Sequence, residues 1–307
     1  MIFNGVSRIS NNMDFIKTRK IFYFFSGIAV LISVLMIFVF NFNFGIDFTG
    51  GTIWELSISE INEEKLAKIS DYLKNEKIDV VHLQTTAKDG VILRMKEISE
   101  EKHQELLKGM SKIISGLTEK RFESIGPSLG RELFDKSLWA VILVFFAILI
   151  YLSYAFYISY SRFPSYKYGL LAIATLLHDV LIICGFIILM GKLKGWEANS
   201  DFLVALLVVA GYSVHDTIVV YDRIRENLQF KKSEKEPLIT IMNHSINQVI
   251  LRSLYTSLTT LFPLIALYFF GPASIRILIA SISAGIVVGT YSSLFIAPAL
   301  LYDWSSS

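Results

Sequence analysis

Hydrophobic positions along this chain fall into two kinds of pattern. Six runs with few or no charges, at 21–40, 138–157, 168–190, 202–221, 254–270 and 277–302, are each close to the roughly 20 residues that a helix needs to cross a hydrocarbon core. They predict six membrane-spanning helices. The first run is too long for a typical signal-peptide apolar region and no small-x-small cleavage site follows it, so it predicts a retained anchor. Between the first and second runs the period switches. Residues 52–58 alternate as a strand, 60–75 have helical spacing, 80–86 and 91–96 alternate again, 99–116 are helical, and 120–125 close the set as a further strand. Asp89-Gly90 marks a hairpin between the middle strands. The order βαββαβ predicts a ferredoxin-like α+β domain, with two helices on one sheet face, inserted between membrane helices 1 and 2.

Composition agrees with a membrane class: hydrophobic residues make up 53%, charged residues 18%, and mean hydropathy is +0.52. Charge then sets orientation, because loops rich in Lys and Arg stay cytoplasmic. Arg8, Lys17, Arg19 and Lys20 in the arm 1–20, Arg162 and Lys167 between the second and third runs, and Arg223, Arg225, Lys231, Lys232 and Lys235 in the loop 222–253 fall on one side. Lys192, Lys194, Arg276 and the segment 41–135, with 13 basic and 17 acidic residues, fall on the other. The expected organisation is therefore a cytoplasmic arm (1–20), a first span (21–40), an extracytoplasmic domain with flanking hinges (41–135), five further spans within 136–302, and a short cytoplasmic C-terminus (303–307) with no tail to bind anything. The net charge of +2 is divided between two faces, and no basic patch interleaved with aromatics points to nucleic acid. The single cysteine, Cys184, lies in the third run, so the external domain is expected to hold its fold without a disulfide.

Ionisable residues inside spans cost about 2.5–3.5 kcal/mol each on insertion scales and commonly face a partner or a wet path. The third run, in Leu177-His178-Asp179-Val180-Leu181, places Asp179 near mid-membrane, and the fourth places Asp216, preceded by His215, close to its cytoplasmic end. The fifth helix is expected to begin around Gln248 and to carry Arg252 near the depth of Asp216, followed by Thr256, Thr259 and Thr260 at helical spacing. These side chains are expected to converge on one polar seam, and the chemistry such a seam permits is proton transfer. In low dielectric a carboxylate favours its protonated form and a neighbouring guanidinium favours the ionised one, so an Arg that moves relative to an Asp loads and releases a proton. Asp216 takes the titrating role and Arg252 the switching charge. Asp179, His215, Thr256 and Thr259 extend the relay through hydroxyls and waters.

Plainer readings compete. Asp216 and Arg252 also suit a structural ion pair joining two helices, although desolvation can exceed the Coulomb gain of such a pair. Asp222 and Arg223 suit snorkelling or pairing at the membrane boundary. A metal site is disfavoured because adjacent helical residues point about 100° apart, so His178 with Asp179, or His215 with Asp216, makes a poor chelate. An intramembrane aspartyl protease would pair Asp179 with Asp216, but its Gly-x-Gly-Asp signature is missing and the two depths differ. In the external domain His82 and His103 stand without a second ligand at metal spacing. No catalytic constellation, metal or organic cofactor is indicated, so the chain does not read as an enzyme. Gly285 and Gly289, beside Ser281, Ala284 and Ser292, form a Gly-x-x-x-Gly for close helix packing.

Several segments together resemble one family. Phe44-Gly45-Ile46-Asp47-Phe48-Thr49-Gly50-Gly51-Thr52 looks like the signature shared by the SecD/SecF family of the bacterial Sec protein translocase. Ile125-Gly126-Pro127-Ser128-Leu129-Gly130-Arg131-Glu132-Leu133 resembles its Val-Gly-Pro-x-x-Gly-x-Glu-Leu element. The segment 177–181, the run GYSVHDTIVVYDRIREN at 211–227 and RSLYTSLTTL at 252–261 are similar to the SecF branch in particular, as is the single external region of fewer than 100 residues. His215 departs from that branch, which commonly has Asn there. Asn cannot titrate, so His215 ranks second as a proton carrier. Gly50-Gly51 on one side of the domain and Gly126-Pro127 with Gly130 on the other are expected to break the chain and act as hinges.

The resemblance implies a place in the resistance-nodulation-division superfamily and an accessory role late in protein export across the cytoplasmic (inner) membrane. It implies use of the proton motive force, with protons as the coupling ion. It further implies SecD as obligate partner, the SecYEG channel with YajC and YidC as family partners, contact with membrane lipid, and a translocating unfolded polypeptide as cargo. A proton-coupled small-molecule exporter subunit of the same superfamily would be expected to carry a second external domain. A passive scaffold would not need Asp216 with Arg252.

Overall fold

The computed structural model describes residues 14–58, 61–78, 80–86, 90–158, 163–230 and 236–306. Two compact units share the chain: Phe44–Trp139, and the residues on either side of it.

In the smaller unit, strands β1 (Gly51–Ile58), β2 (Val80–Thr86), β3 (Gly90–Met95) and β4 (Leu117–Ile125) form an antiparallel sheet in the order β2-β3-β1-β4. Trp54 stands opposite Leu93 on one side and Phe122 on the other. The period of two in β1 and β3 places Trp54, Leu56, Ile58, Val91, Leu93 and Met95 in the core. The helices Glu63–Asn75 and Glu100–Ile113 close it with Ile69, Leu73, Leu106 and Met110. Each helix starts at a side-chain cap. Asn62 Oδ1 accepts from Lys65 N at 2.8 Å and Ser99 Oγ accepts from Lys102 N at 3.3 Å, with two glutamates following each cap to complement the positive helix end.

Strand β4 begins three residues before its periodicity suggests, because Leu117 is buried and pairs with Ile58 while the intervening Thr118, Glu119 and Lys120 mask the apolar signal. Residue Asp89 of the expected hairpin lies outside the described residues. His103, isolated in sequence, is buried. Its ring stacks on Phe122 with centroids 3.6 Å apart, its Nε2 meets Glu119 Oε2 at 2.5 Å, and Trp54 Nε1 donates to the same oxygen at 2.8 Å. One carboxylate thus ties β1, β4 and a helix together.

The two glycine segments meet inside this unit. A short helix, Ile46–Thr49, leads into Gly50 and Gly51, which take φ of +74° and +130°, a region that side chains rarely tolerate. A methyl group on Gly50 would lie 2.6 Å from Pro127 Cα, and one on Gly130 would lie 2.8 Å from Gly50 N. Backbone therefore presses on backbone. Phe44, Phe48 and Phe134 pack edge to face around the crossing. The expectation that Gly130 breaks the chain is corrected: the helix Pro127–Ile158 starts at Pro127, whose missing N–H costs nothing at a helix start, and runs through Gly130. Glycine is needed there for close approach.

Among the described residues six helices are long and apolar enough to span a membrane, Arg19–Phe40, Pro127–Tyr157, Ser165–Lys194, Ser200–Gln229, Leu238–Phe270 and Ala273–Ser305, called first to sixth below; the second starts within the smaller unit and the others belong to the larger. The third, fourth and sixth are the most buried and form the centre. Residues 222–253, expected as a loop, are mostly helical: the fourth helix continues to Phe230 and the fifth begins at Leu238. Hydropathy falls at the membrane edge, but the two extensions are zipped by Asn227 Nδ2 to Ser245 Oγ at 2.8 Å and to Gln248 Oε1 at 2.9 Å.

Replacing His103 by Ala leaves the Glu119 carboxylate with Trp54 and opens a cavity against Phe122, with an expected loss of about 2–4 kcal/mol. Gly130→Ala forces the crossing apart at an expected cost of about 1–3 kcal/mol. Thermal denaturation of the purified protein in detergent, with Lys68→Ala on the exposed helix face as a near-neutral control, measures both.

Candidate functional site

A Gly-x-x-x-Gly on the sixth helix brings it against the fourth. A methyl group on Gly285 would meet Val209 Cγ2 at 2.1 Å, and one on Gly289 would meet Ser213 Cβ at 3.0 Å, so the absence of side chains sets the helix spacing. One turn on, Ser292–Ile296 is a π-helical turn between the α-helices Arg276–Tyr291 and Ala297–Ser306. The extra residue turns two consecutive serines inward, a local distortion of the kind that recurs at functional sites.

These serines complete a buried network. Asp179 is fully buried and its Oδ2 accepts from Ser213 Oγ at 2.5 Å and from Ser292 Oγ at 2.8 Å, while Oδ1 lies 2.8 Å from His178 Nδ1. Ser293 Oγ shares a hydrogen bond with Thr217 Oγ1 at 2.8 Å and donates to the Ser213 carbonyl at 3.0 Å. Asp216, also buried, has a sparser shell. Thr290 Oγ1 donates to its Oδ2 at 3.4 Å, Thr290 shares a 2.6 Å hydrogen bond with Ser257, and Tyr212 OH donates to Ser257 at 3.2 Å. Among the described residues no Lys or Arg lies within ion-pair distance of either carboxylate. Two acids thus sit among hydroxyls, with His178 beside one of them and no Lys or Arg partner among the described residues.

The expected residues are divided by the structure. Asp179 and Asp216 are inside; Arg252, Thr256, Thr259 and His215 are exposed on the bundle surface. Arg252 does not pair with Asp216, so neither the switching pair nor the structural ion pair forms within this chain. The reason is helical phase: Ser253 and Ser257 take the inward face of the fifth helix, and Arg252, Thr256 and Thr259 fall on the outward one. The two threonine hydroxyls bond back to their own helix, Thr256 to the Arg252 carbonyl at 3.1 Å and Thr259 to the Tyr255 carbonyl at 2.9 Å. Ser257 and Thr290 connect to Asp216 instead. Their signal was present, Ser257 one turn after Ser253 and Thr290 just ahead of Ser292 and Ser293, but it lay under the more conspicuous charges. His178 Nδ1 does reach Asp179 Oδ1 despite the divergence of adjacent residues; no cluster of three or more His, Cys, Asp or Glu able to hold a metal occurs among the described residues.

A cleft of about 210 Å³ between the fifth and sixth helices, walled by Leu254, Leu258, Leu261, Val287 and Leu294, has Ser257 and Thr290 in its lining. The hydroxyl pair that touches Asp216 thus also borders a cleft at the bundle surface. Hydroxyls at this spacing can pass a proton by reorienting, with buried carboxylates as the exchange points.

Residues 105–307 match the family described as protein export membrane protein SecD/SecF, C-terminal, and residues 36–58 match the SecD/SecF GG motif. The chain belongs to the SecD/SecF family. Relatives include the protein translocase subunit SecF of Thermobaculum terrenum, 36% identical with 96% of this chain and 94% of the relative covered, and that of Sebaldella termitidis, 36% identical with 95% and 91% covered. A crystal structure of SecDF, a translocon-associated membrane protein from Thermus thermophilus, is similar with a TM-score of 0.80 and 31% identity over 96% of this chain. The match spans 39% of that longer SecDF chain. A second SecDF structure, in a super-membrane-facing form, is similar with a TM-score of 0.67. Six span-capable helices and this membership make the protein a multi-pass membrane protein.

Gly285→Leu would drive into Val209 and separate the fourth and sixth helices, lowering the melting temperature of the purified protein by several degrees, the equivalent of about 2 kcal/mol or more. Gly211→Ala meets nothing within 4 Å and is expected to melt with the parent chain.

Proposed function

We propose that this chain serves protein export as a SecF-type accessory subunit, working in complex with SecD and driven by the proton motive force. The observation that carries the reading is a mismatch between burial and charge. Two carboxylates are buried in the bundle without a Lys or Arg partner among the described residues, while Arg252 presents its charge on an outward face of a membrane helix. Facing lipid, such an arginine is costly. Facing a second membrane subunit, it has a use: it can meet that subunit's acid, or approach Asp216 as the two subunits shift. SecD supplies the natural counterpart, since in the Thermus relative SecDF is one chain of which the match accounts for 39%.

Asp216 carries the exchangeable proton in this reading, because Thr290 is the one hydrogen-bond partner of its carboxylate among the described residues and Ser257 leads from it toward the cleft. Asp179, held by three donors, positions the fourth and sixth helices around it. His215 faces outward and stands aside. The lysines and arginines of the arm, of Lys167 and of the fourth and fifth helix extensions support cytoplasmic termini in the inner membrane, with the unit Phe44–Trp139 outside. Its βαββαβ connectivity and the strand order β4-β1-β3-β2 support the ferredoxin-like assignment. The glycine crossing suits a stiff joint at the base of that domain. SecYEG, with YajC and YidC, the surrounding lipid and the unfolded cargo complete the assembly, and no cofactor beyond the proton is called for.

Export of an unfolded precursor into inverted membrane vesicles, with and without an imposed proton gradient, tests the reading. Asp216→Asn and Arg252→Ala should each remove the gradient-stimulated part of export while SecD still co-purifies with the chain. Retention of full stimulation by Asp216→Asn would refute the proton role; loss of co-purification in the parent chain would refute the SecD complex.

A further inference from the structure

Ahead of the first span, residues 14–18 form a turn whose two apolar side chains are buried: Ile16 is 1% exposed and Phe15 6%. This strap is keyed to the fifth helix by one side chain. Ile16 N donates to Asn243 Oδ1 at 2.9 Å, and Asn243 Nδ2 donates to Asp14 Oδ1 at 3.1 Å. Phe15 rests on Phe295, ring centroids 5.4 Å apart, and Phe295 stacks on Phe22 at 4.6 Å. Phe295 belongs to the same π-helical turn that aims Ser292 at Asp179 and Ser293 at Thr217.

The first span has a separate anchor. Arg19 Nε donates to Asp303 Oδ1 at 2.8 Å, Tyr23 OH donates to Asp303 Oδ2 at 3.0 Å, and the Arg19 guanidinium lies over the Tyr302 ring. The helix therefore stays fixed to the end of the sixth whether or not the strap is seated. A strap held to the fifth helix by two hydrogen bonds, to Arg19 by a third from Arg19 Nη1 to the Ile16 carbonyl at 3.0 Å, and to the core by two apolar side chains has the construction of a latch, since an element held by a handful of contacts opens locally at lower cost than the core.

We propose that residues 14–18 are a removable seal at the end of the bundle where the two termini meet. Seated, Phe15 and Ile16 keep water from the Ser293–Thr217 end of the buried network and hold Phe295, and with it the serine turn, in place. Unseated, they open a wet route to that network from the side of the termini. The seal concerns access of water. It stands or falls independently of whether protons or another ion use the route.

A thiol at position 293 reports access. Ser293→Cys in a Cys184→Ala background, in the full chain co-expressed with SecD, is exposed to a membrane-impermeant maleimide from the side of the termini. Adding Asn243→Ala or Phe15→Ala should raise its labelling rate about ten-fold, the effect of losing the keying contacts on a local opening equilibrium. Lys17→Ala removes a side chain that is 65% exposed and bonds only within the strap, and should label at the parent rate. Native Cys184, which packs near Ile183 and Phe202 in a separate cluster, is labelled in a parallel set of chains that keep Ser293 and carry the same strap substitutions, and controls for unfolding. Faster labelling at position 293 with Cys184 unchanged is the expected result. Unchanged labelling at position 293, or equal acceleration at both cysteines, would overturn the seal.

Discussion

A carboxylate placed among apolar helices has to be surrounded by hydrogen-bond donors, and Asp179 imposes that requirement on the bundle. Three donors reach it, from the third, fourth and sixth helices. They can do so only if the fourth and sixth helices approach to backbone distance, which Gly285 and Gly289 permit, and only if the sixth helix is rotated locally, which the π-helical turn provides. An orphaned carboxylate at this depth would cost several kcal/mol. The small residues, the serines and the distorted turn together accommodate one buried carboxyl group.

Asp216 lies under a different regime. Among the described residues its carboxylate has one, longer hydrogen bond, from Thr290, where Asp179 has three close partners. On the proposed reading Asp216 exchanges the proton, Asp179 organises packing, and the exposed Arg252 faces the second subunit.

The smaller unit solves a mechanical problem with comparable economy. Its core is built by ordinary alternation in β1 and β3 and by two capped helices, and Glu119 joins Trp54 to His103 across strand and helix. Where the chain enters and leaves, Gly50 and Gly130 remove side chains so that two backbone segments press together.

Much of this organisation is legible one residue at a time. The six spans follow from run length and hydropathy, the sheet and its helices from a period of two giving way to 3.6, and family membership from the glycine segments and the fourth-span motif, because each of these is a local property of the chain. Element ends were less visible: the fourth and fifth helices run on past the membrane, and β4 starts under a charged stretch. Asp179 and Asp216 could be singled out because an acid in an apolar run is conspicuous wherever it points. Which side chains meet them could not, since the direction of a helical residue depends on the rotation of its helix against its neighbours. A phase difference of one residue turned Arg252 outward and Ser253 inward, and an extra residue in the sixth helix brought Ser292 to Asp179 and Ser293 to Thr217. Sequence alone determined that charge is buried in this membrane protein; tertiary packing decided what surrounds it, because only the assembled helices fix the angle at which each face is presented.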